Sequence, residues 1–377
     1  MNCCYYSIAY KVAIHHPEHQ MLKKFNHQIK EEEEYGKGRV NVIDSVYVIS
    51  LEVGQQQVYL VFDIESYFIW VQHASCDPCL VERPPITRND YNGSRNLQYL
   101  GCSMNTTNPL KSDCQYAKNT PGESCQNGVC SFQVGYKDGS GSSGKVGTDI
   151  FTPFTDKTMS QTMVFGIGFD NQCYPLYSCY QGVAGFGAGP LTLHSQLTSH
   201  PTRWGFCLPY NASMDGTLLV GDDAQIPGDY KRTRIYNSMY FYVTNLTDIF
   251  VEDMGKLTTH HATSMILIDT GATIIKLEDG ILDNLVLWVR FIVNMDYNAN
   301  PILSPYPGDL ELCYDQPYRT EITLHLGEVF FTLSYPRDLW WEYPSYNAYC
   351  LSFRRTDEGN LNTLGNYHMR GHMVVMT

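Results

Sequence analysis

The chain has 377 residues, more than one ordinary hydrophobic core can serve and enough for two lobes of about 150 to 200 residues each. A hydrophobic content of 43%, with 28 Tyr and 16 Phe, excludes a disordered chain, and 26 Lys plus Arg against 39 Asp plus Glu leaves a net charge of −13 that opposes nucleic acid and anionic membrane as partners. The 13 cysteines, most of them between Cys76 and Cys207, argue for an oxidising compartment and a disulfide-stapled region.

Residues 1–44 are His-rich and then carry the acidic run Glu31 to Glu34, the composition of a leader or pro-segment remnant; the cationic and apolar regions of a signal peptide are not visible there. From Val46 onward, short runs rich in Val, Tyr, Ile and Phe are punctuated by Gly, Pro, Asn and Asp about every ten residues, which predicts an all-β chain. Val58 to Phe62 and Met265 to Ile268 are brief and bounded, as buried strands are. Two helices are predicted: Leu191 to Thr198, following Pro190, and Asp279 to Val293, where Ile281, Leu282, Leu285, Trp288 and Val289 recur at helical spacing. No run approaches the ~18 apolar residues that cross a bilayer. Four glycosylation sequons start at Asn92, Asn105, Asn211 and Asn245.

The two halves carry a weak internal repeat. VYLVFDIESYFIW around Asp63 and SMILIDTGATIIKL around Asp269 share an apolar run, an Asp, three residues and a second apolar run. Each half later has two residues before a Gly in a strand-like setting, Val183-Ala184-Gly185 and Thr363-Leu364-Gly365. Hydrolysing an amide without a metal or covalent nucleophile needs a base to activate water and an acid to protonate the leaving group, roles that two carboxylates can share. Held about 3 Å apart, both cannot ionise, so such a pair keeps one proton and titrates as a unit. A Gly after the Asp lets backbones approach and a Thr hydroxyl can bond across; Asp269-Thr270-Gly271 meets that demand and Asp63-Ile64-Glu65-Ser66 does not.

Other readings of these residues are weaker. Gly139-x-Gly141-x-x-Gly144 has the spacing of a nucleotide-binding loop, but Thr148-Asp-Ile-Phe-Thr-Pro follows where a helix should open, so a hairpin tip is the better account. Cys76-x-x-Cys79 could be half of a zinc site, but no second pair completes four ligands, and structural disulfides are expected instead. No cofactor or metal is expected.

Taken together, the motifs resemble those of plant pepsin-like aspartic peptidases of the nepenthesin type, over roughly Val46 to the C-terminus. LVFDIESYFIWVQ is similar to LVFDTGSxxxWVQ, MILIDTGATIIKL to the second active-site element, GYKDGSGSSG to the flap sequence YGDGSxSxG, GVAGFGAGPLTLHSQL to GxxGLGxGPLSLxSQL, and GFCLP and ELCYD to FSYCL and LCYD. The resemblance implies an all-β, two-lobed pepsin-like fold with a few short helices and a central cleft: residues 45–225 as an N-terminal lobe with the flap and a Cys-rich insertion, and 226–377 as a C-terminal lobe cut short at its end. It implies that Asp63 and Asp269 form the catalytic dyad, that Ser66, Thr270 and Gly271 support it, and that Tyr136 is the flap tyrosine with Trp70 as its hydrogen-bonding neighbour. It further implies a monomer acting on polypeptide at acid pH, extracellular or vacuolar. Ile64 and Glu65 stand where the family has Thr and Gly; Glu65 should either clash or raise the proton affinity of the pair. His73 and Ile167 replace family cysteines, so the disulfide map is altered and Cys207 is expected to be left alone. A binding or inhibitor protein of the same fold, and a truncated non-functional product, are the competing expectations.

Overall fold

The computed structural model describes residues 12–15 and 47–377, apart from 81–90, 103–113, 115–123, 154–159, 173–179, 198–202, 211–214, 222–223, 225–229, 239, 259–263, 307 and 358. The chain divides into two compact units, Met1–Ile226 together with Arg370–Thr377, and Pro227–Met369.

The first unit is built on a 13-stranded sheet. Its strands include β1 (Val12–His15), β2 (Val48–Val53), β3 (Gln56–Asp63), β4 (Trp70–Gln72), β5 (Val129–Gly135), β6 (Gly141–Thr152), β7 (Gln161–Gln172), β8 (Gly182–Gly185), β9 (Trp204–Cys207) and β10 (Asp215–Val220). In β3 the side chains of Val58, Leu60 and Phe62 are fully buried while Tyr59 and Val61 are only partly so, the period of two expected of a strand with one inward face. Phe62 meets Phe186 at 4.9 Å and Phe206 at 5.3 Å between ring centroids, and Phe186 meets Trp204 at 5.1 Å, forming an aromatic core beneath the strand. Burying each such side chain contributes about 1.5–3 kcal/mol. Within the segment expected as a leader, β1 pairs antiparallel with both β2 and β10. At the other end of the chain, MVVM at Met373–Met376 pairs antiparallel with β9, from Trp204↔Met376 to Cys207↔Met373, so the final residues extend the sheet of the first unit rather than the second.

The second unit carries a 9-stranded sheet and a 3-stranded sheet. The strands used below are β11 (Phe241–Val251), β12 (Ser264–Ile268), β13 (Ile275–Leu277) and β14 (Asn362–Leu364). Helix α1 (Asp279–Tyr297) buries Leu282, Leu285, Val289, Ile292 and Val293. It runs four residues past the predicted Val293 and closes at Asn298, whose left-handed backbone turns its N–H back to the Asn294 carbonyl.

The other predicted helix does not form. Of residues 191–197, only His194–Gln196 makes a single 3₁₀ turn, and Leu197 is already extended, while Thr198 lies outside the described residues. Tertiary contacts outweigh the local pattern. The Gln196 side chain accepts from the Val164 N–H and donates to the Val164 carbonyl on β7, Thr192 Oγ1 donates to the Gly189 carbonyl, and Leu191, Leu193 and Leu197 are all buried, which a longer helix could not keep together.

Disulfides join Cys76 to Cys79, Cys102 to Cys125, Cys114 to Cys130 and Cys313 to Cys350. Cys207 is disulfide-bonded as well, which corrects the expectation that it stands alone; losing family cysteines at His73 and Ile167 did not orphan it. The sulfurs of Cys102, Cys114 and Cys130 lie within 4.8 Å of one another, but as members of two disulfides they are not thiolates and do not fit a metal ion.

Candidate functional site

Asp63 is the last residue of β3, where β8 runs alongside it. β8 runs parallel to β3 with Gly185 opposite Asp63, and the Phe186 N–H donates to the Asp63 carbonyl at 2.8 Å. The loop after Asp63 folds back over this strand so closely that a Cβ on Gly185 would sit 2.5 Å from the carbonyl oxygens of Ser66 and Phe68. Within the loop the Glu65 N–H donates to Asp63 Oδ1 at 2.8 Å, and the Ser66 hydroxyl donates to Oδ2 at 2.6 Å. The carboxyl is only 8% exposed. Burial, with the nearby Glu65 charge adding to it, pushes its pKa up to about 6, against the opposing pull of the Ser66 and Glu65 hydrogen bonds.

The second unit repeats this construction around Asp269, which follows β12. β14 runs parallel to β12, the Asp269 N–H donates to the Leu364 carbonyl at 3.1 Å, and the Gly271 N–H donates to Asp269 Oδ1 at 2.6 Å. Here Gly365 is the strand residue without room, since a Cβ would lie 2.5 Å from the Thr273 backbone. Asn366 holds the loop: its Nδ2 donates to the Thr270 carbonyl at 3.0 Å and its backbone N–H to Ala272 at 2.8 Å. Thr270 is buried at the loop tip. Where Ser66 bonds Asp63, the second loop has Ala272 at the matching position.

The hairpin of β5 and β6 turns over residues 136–140, with Tyr136 N–H donating to Ser140 and Gly139 N–H to Tyr136. Its glycine-spaced tip is therefore a turn between antiparallel strands and opens no helix. Trp70 Nε1 donates to the Tyr136 hydroxyl at 2.8 Å, and the Ser66 side chain, which bonds Asp63, lies beside that hydroxyl. Burial pushes the Tyr136 phenol up, and the Asp63 charge adds to the shift. The structure thus brings the bonded pairs Asp63–Ser66 and Trp70–Tyr136 together in the first unit, and gathers Asp269, Thr270 and Gly271 into a matching loop in the second.

Neither Ile64 nor Glu65 adopts a positive φ, so the residues that replace Thr and Gly fit without backbone strain. Ile64 is wholly buried. Glu65 turns to the flap, where its Oε1 lies 3.1 Å from Lys137 Nζ. Lys137 and Asn366 went unnoticed in the sequence, because each acts on a partner 72 or 96 residues away.

Comparison with known proteins fits this geometry. Residues 47–222 match the profile of the xylanase inhibitor N-terminal family. Two aspartic proteinases of Nepenthes gracilis are similar over most of the chain: nepenthesin-1 is 26% identical over 351 residues and nepenthesin-2 is 28% identical over 360, each alignment covering 88% of this chain and 75% of the relative. The similarity to plant aspartic proteinases thus runs through both units of the chain. Among solved structures, conglutin gamma from lupine seeds superposes with a TM-score of 0.68 at 15% identity, covering 97% of this chain and 91% of the other. Basic 7S globulin from soybean gives 0.64 at 16% identity, covering 98% and 94%. Both share the mostly β fold of this chain.

Proposed function

We propose that the chain is an aspartic endopeptidase in which Asp63 and Asp269 share one proton and activate water against a peptide bond at acid pH. The observation that carries this is the duplicated loop: each aspartate accepts from the backbone N–H two residues on, and each loop is crossed by a parallel strand ending in a glycine with no room for a side chain. Burial holds the Asp63 carboxyl up at about 6, so it keeps a proton more readily than a free aspartate, as one member of such a pair must. Ser66 orients the Asp63 carboxyl, and Tyr136 covers it from the flap. The substrate is polypeptide. The disulfides favour an extracellular or vacuolar address.

Purified protein is expected to cut acid-denatured protein below pH 6, with pepstatin sensitivity and a decline as pH rises through about 6; Asp63→Ala and Asp269→Ala should each abolish it. Intact substrate in that assay would overturn the proposal. The match to an inhibitor family over residues 47–222 and the replacements Ile64 and Glu65 favour a second reading, a protein or glycan binder that does not turn over. Ile64→Thr with Glu65→Gly separates the two: cleavage gained only in the double variant marks a lapsed enzyme, and equal cleavage in both proteins marks a working one.

A further inference from the structure

The flap touches the Asp63 loop through a contact that the proposed chemistry does not use. Lys137 follows Tyr136 at the hairpin turn and Glu65 lies two residues after Asp63, and their side chains form an ion pair at 3.1 Å. Each replaces a glycine in a motif that the chain resembles, DTGS at 63–66, where Ile64 departs as well, and YGDGS at 136–140. A carboxylate alone at position 65 would add negative charge beside a buried Asp, and a lysine alone at 137 would be an unmatched cation on the hairpin. Together they cancel. The remaining carboxylate of the turn, Asp138, is engaged within it, accepting from the Ser140 N–H at 2.8 Å and the Ser140 hydroxyl at 2.7 Å, so it does not compete for Lys137. Glu65 is 22% exposed and Lys137 59%, so the pair is partly shielded at one end and open to solvent at the other.

We propose that Glu65 and Lys137 are a matched pair of positioning residues, an ionic latch that fastens the flap hairpin onto the Asp63 loop and keeps the Tyr136 hydroxyl beside Ser66. With Trp70 Nε1 holding the same hydroxyl at 2.8 Å, the hairpin has two fixings, one neutral and buried, one charged and at the surface. Only the charged one responds to salt. Glycines at both positions would leave the hairpin tip on the Trp70 hydrogen bond alone; this chain adds an electrostatic hold that must release before the tip can lift. The latch goes beyond the endopeptidase reading, because flap position matters equally to a binder and can be measured without turnover.

Hydrogen–deuterium exchange of the amides of residues 136–141, followed by mass spectrometry on the full chain, tests this. Glu65→Gln and Lys137→Met should each speed exchange at the tip about two- to fivefold, the range an exposed ion pair gives, with β7 unchanged as a folding control. Lys137→Arg should keep wild-type protection. The reversed pair, Glu65→Lys with Lys137→Glu, should restore it, and 1 M NaCl should speed exchange in the wild type but not in Glu65→Gln. Unchanged tip exchange in both single variants would overturn the latch, as would a reversed pair that exchanges like the single variants. Because no peptide is cut, a failed latch and a failed peptidase are told apart.

Discussion

At the scale of single residues, Asp63 is held in a state that costs stability near neutral pH. Its folded pKa of about 6 stands above the unfolded value of 3.8, so its contribution is fully present below about pH 3.8 and is lost as pH rises through 6. Asp63→Asn keeps the shape and can still accept from the Glu65 N–H, but it has no charge to bury. The stability of the variant relative to wild type should therefore grow by about 3 kcal/mol between pH 3 and pH 7, read from thermal melts across that range. His194, buried between Phe186 and Trp204, has the opposite habit: burial pushes it down to about 4, so its contribution fades as pH falls from 6.5. Both proteins carry His194, and the comparison cancels it. A flat difference between variant and wild type would contradict the burial of the Asp63 carboxyl.

At the scale of elements, the glycine that ends β8 decides whether the Asp63 loop can close. A Cβ there meets two carbonyl oxygens at 2.5 Å, and backbone cannot step aside. Gly185→Ala should cost on the order of 3–5 kcal/mol and deplete soluble protein, whereas Gly280→Ala in the first turn of α1, where nothing lies within 4 Å, should be neutral or stabilising. Chemical denaturation of the two variants provides the contrast. How far such features can be read in advance depends on their sequence range. The aspartate loops were legible because each sits in a contiguous block, apolar run then Asp, and β3, β12 and α1 follow from local periodicity. Leu191 to Thr198 misled because Pro190 reads as a helix start while Gln196 is claimed by β7. The bond from Lys137 to Glu65 needs the hairpin to exist before the two meet, so no window of sequence contains it.

At the scale of the whole molecule, the order of the chain and the order of the sheets differ. The strand Met373–Met376 belongs to the first unit, although Pro227–Met369 forms the second. Removing Arg370–Thr377 should therefore lower the melting temperature of the first unit and leave the second nearly unchanged, as exchange protection on β9 and on α1 would report separately. Equal loss in both would mean that the strand matters to the second unit as well. Met376 is buried, and its pairing partner Trp204 lies in the aromatic core with Phe62 and Phe186, so the effect of the cut should reach the strand that carries Asp63.

That pairing also imposes a schedule on synthesis. Trp204–Cys207 leaves the ribosome long before Met373–Met376, and everything from Leu208 to His372 must be translated in between. At the usual elongation rate of about 5–20 residues per second, the nascent first unit waits roughly ten to thirty seconds with one flank of β9 bare. An unpaired edge of Trp, Gly, Phe and Cys invites another chain to pair with it. For this protein, the interval before its last strand arrives is when a holding chaperone has the most to do.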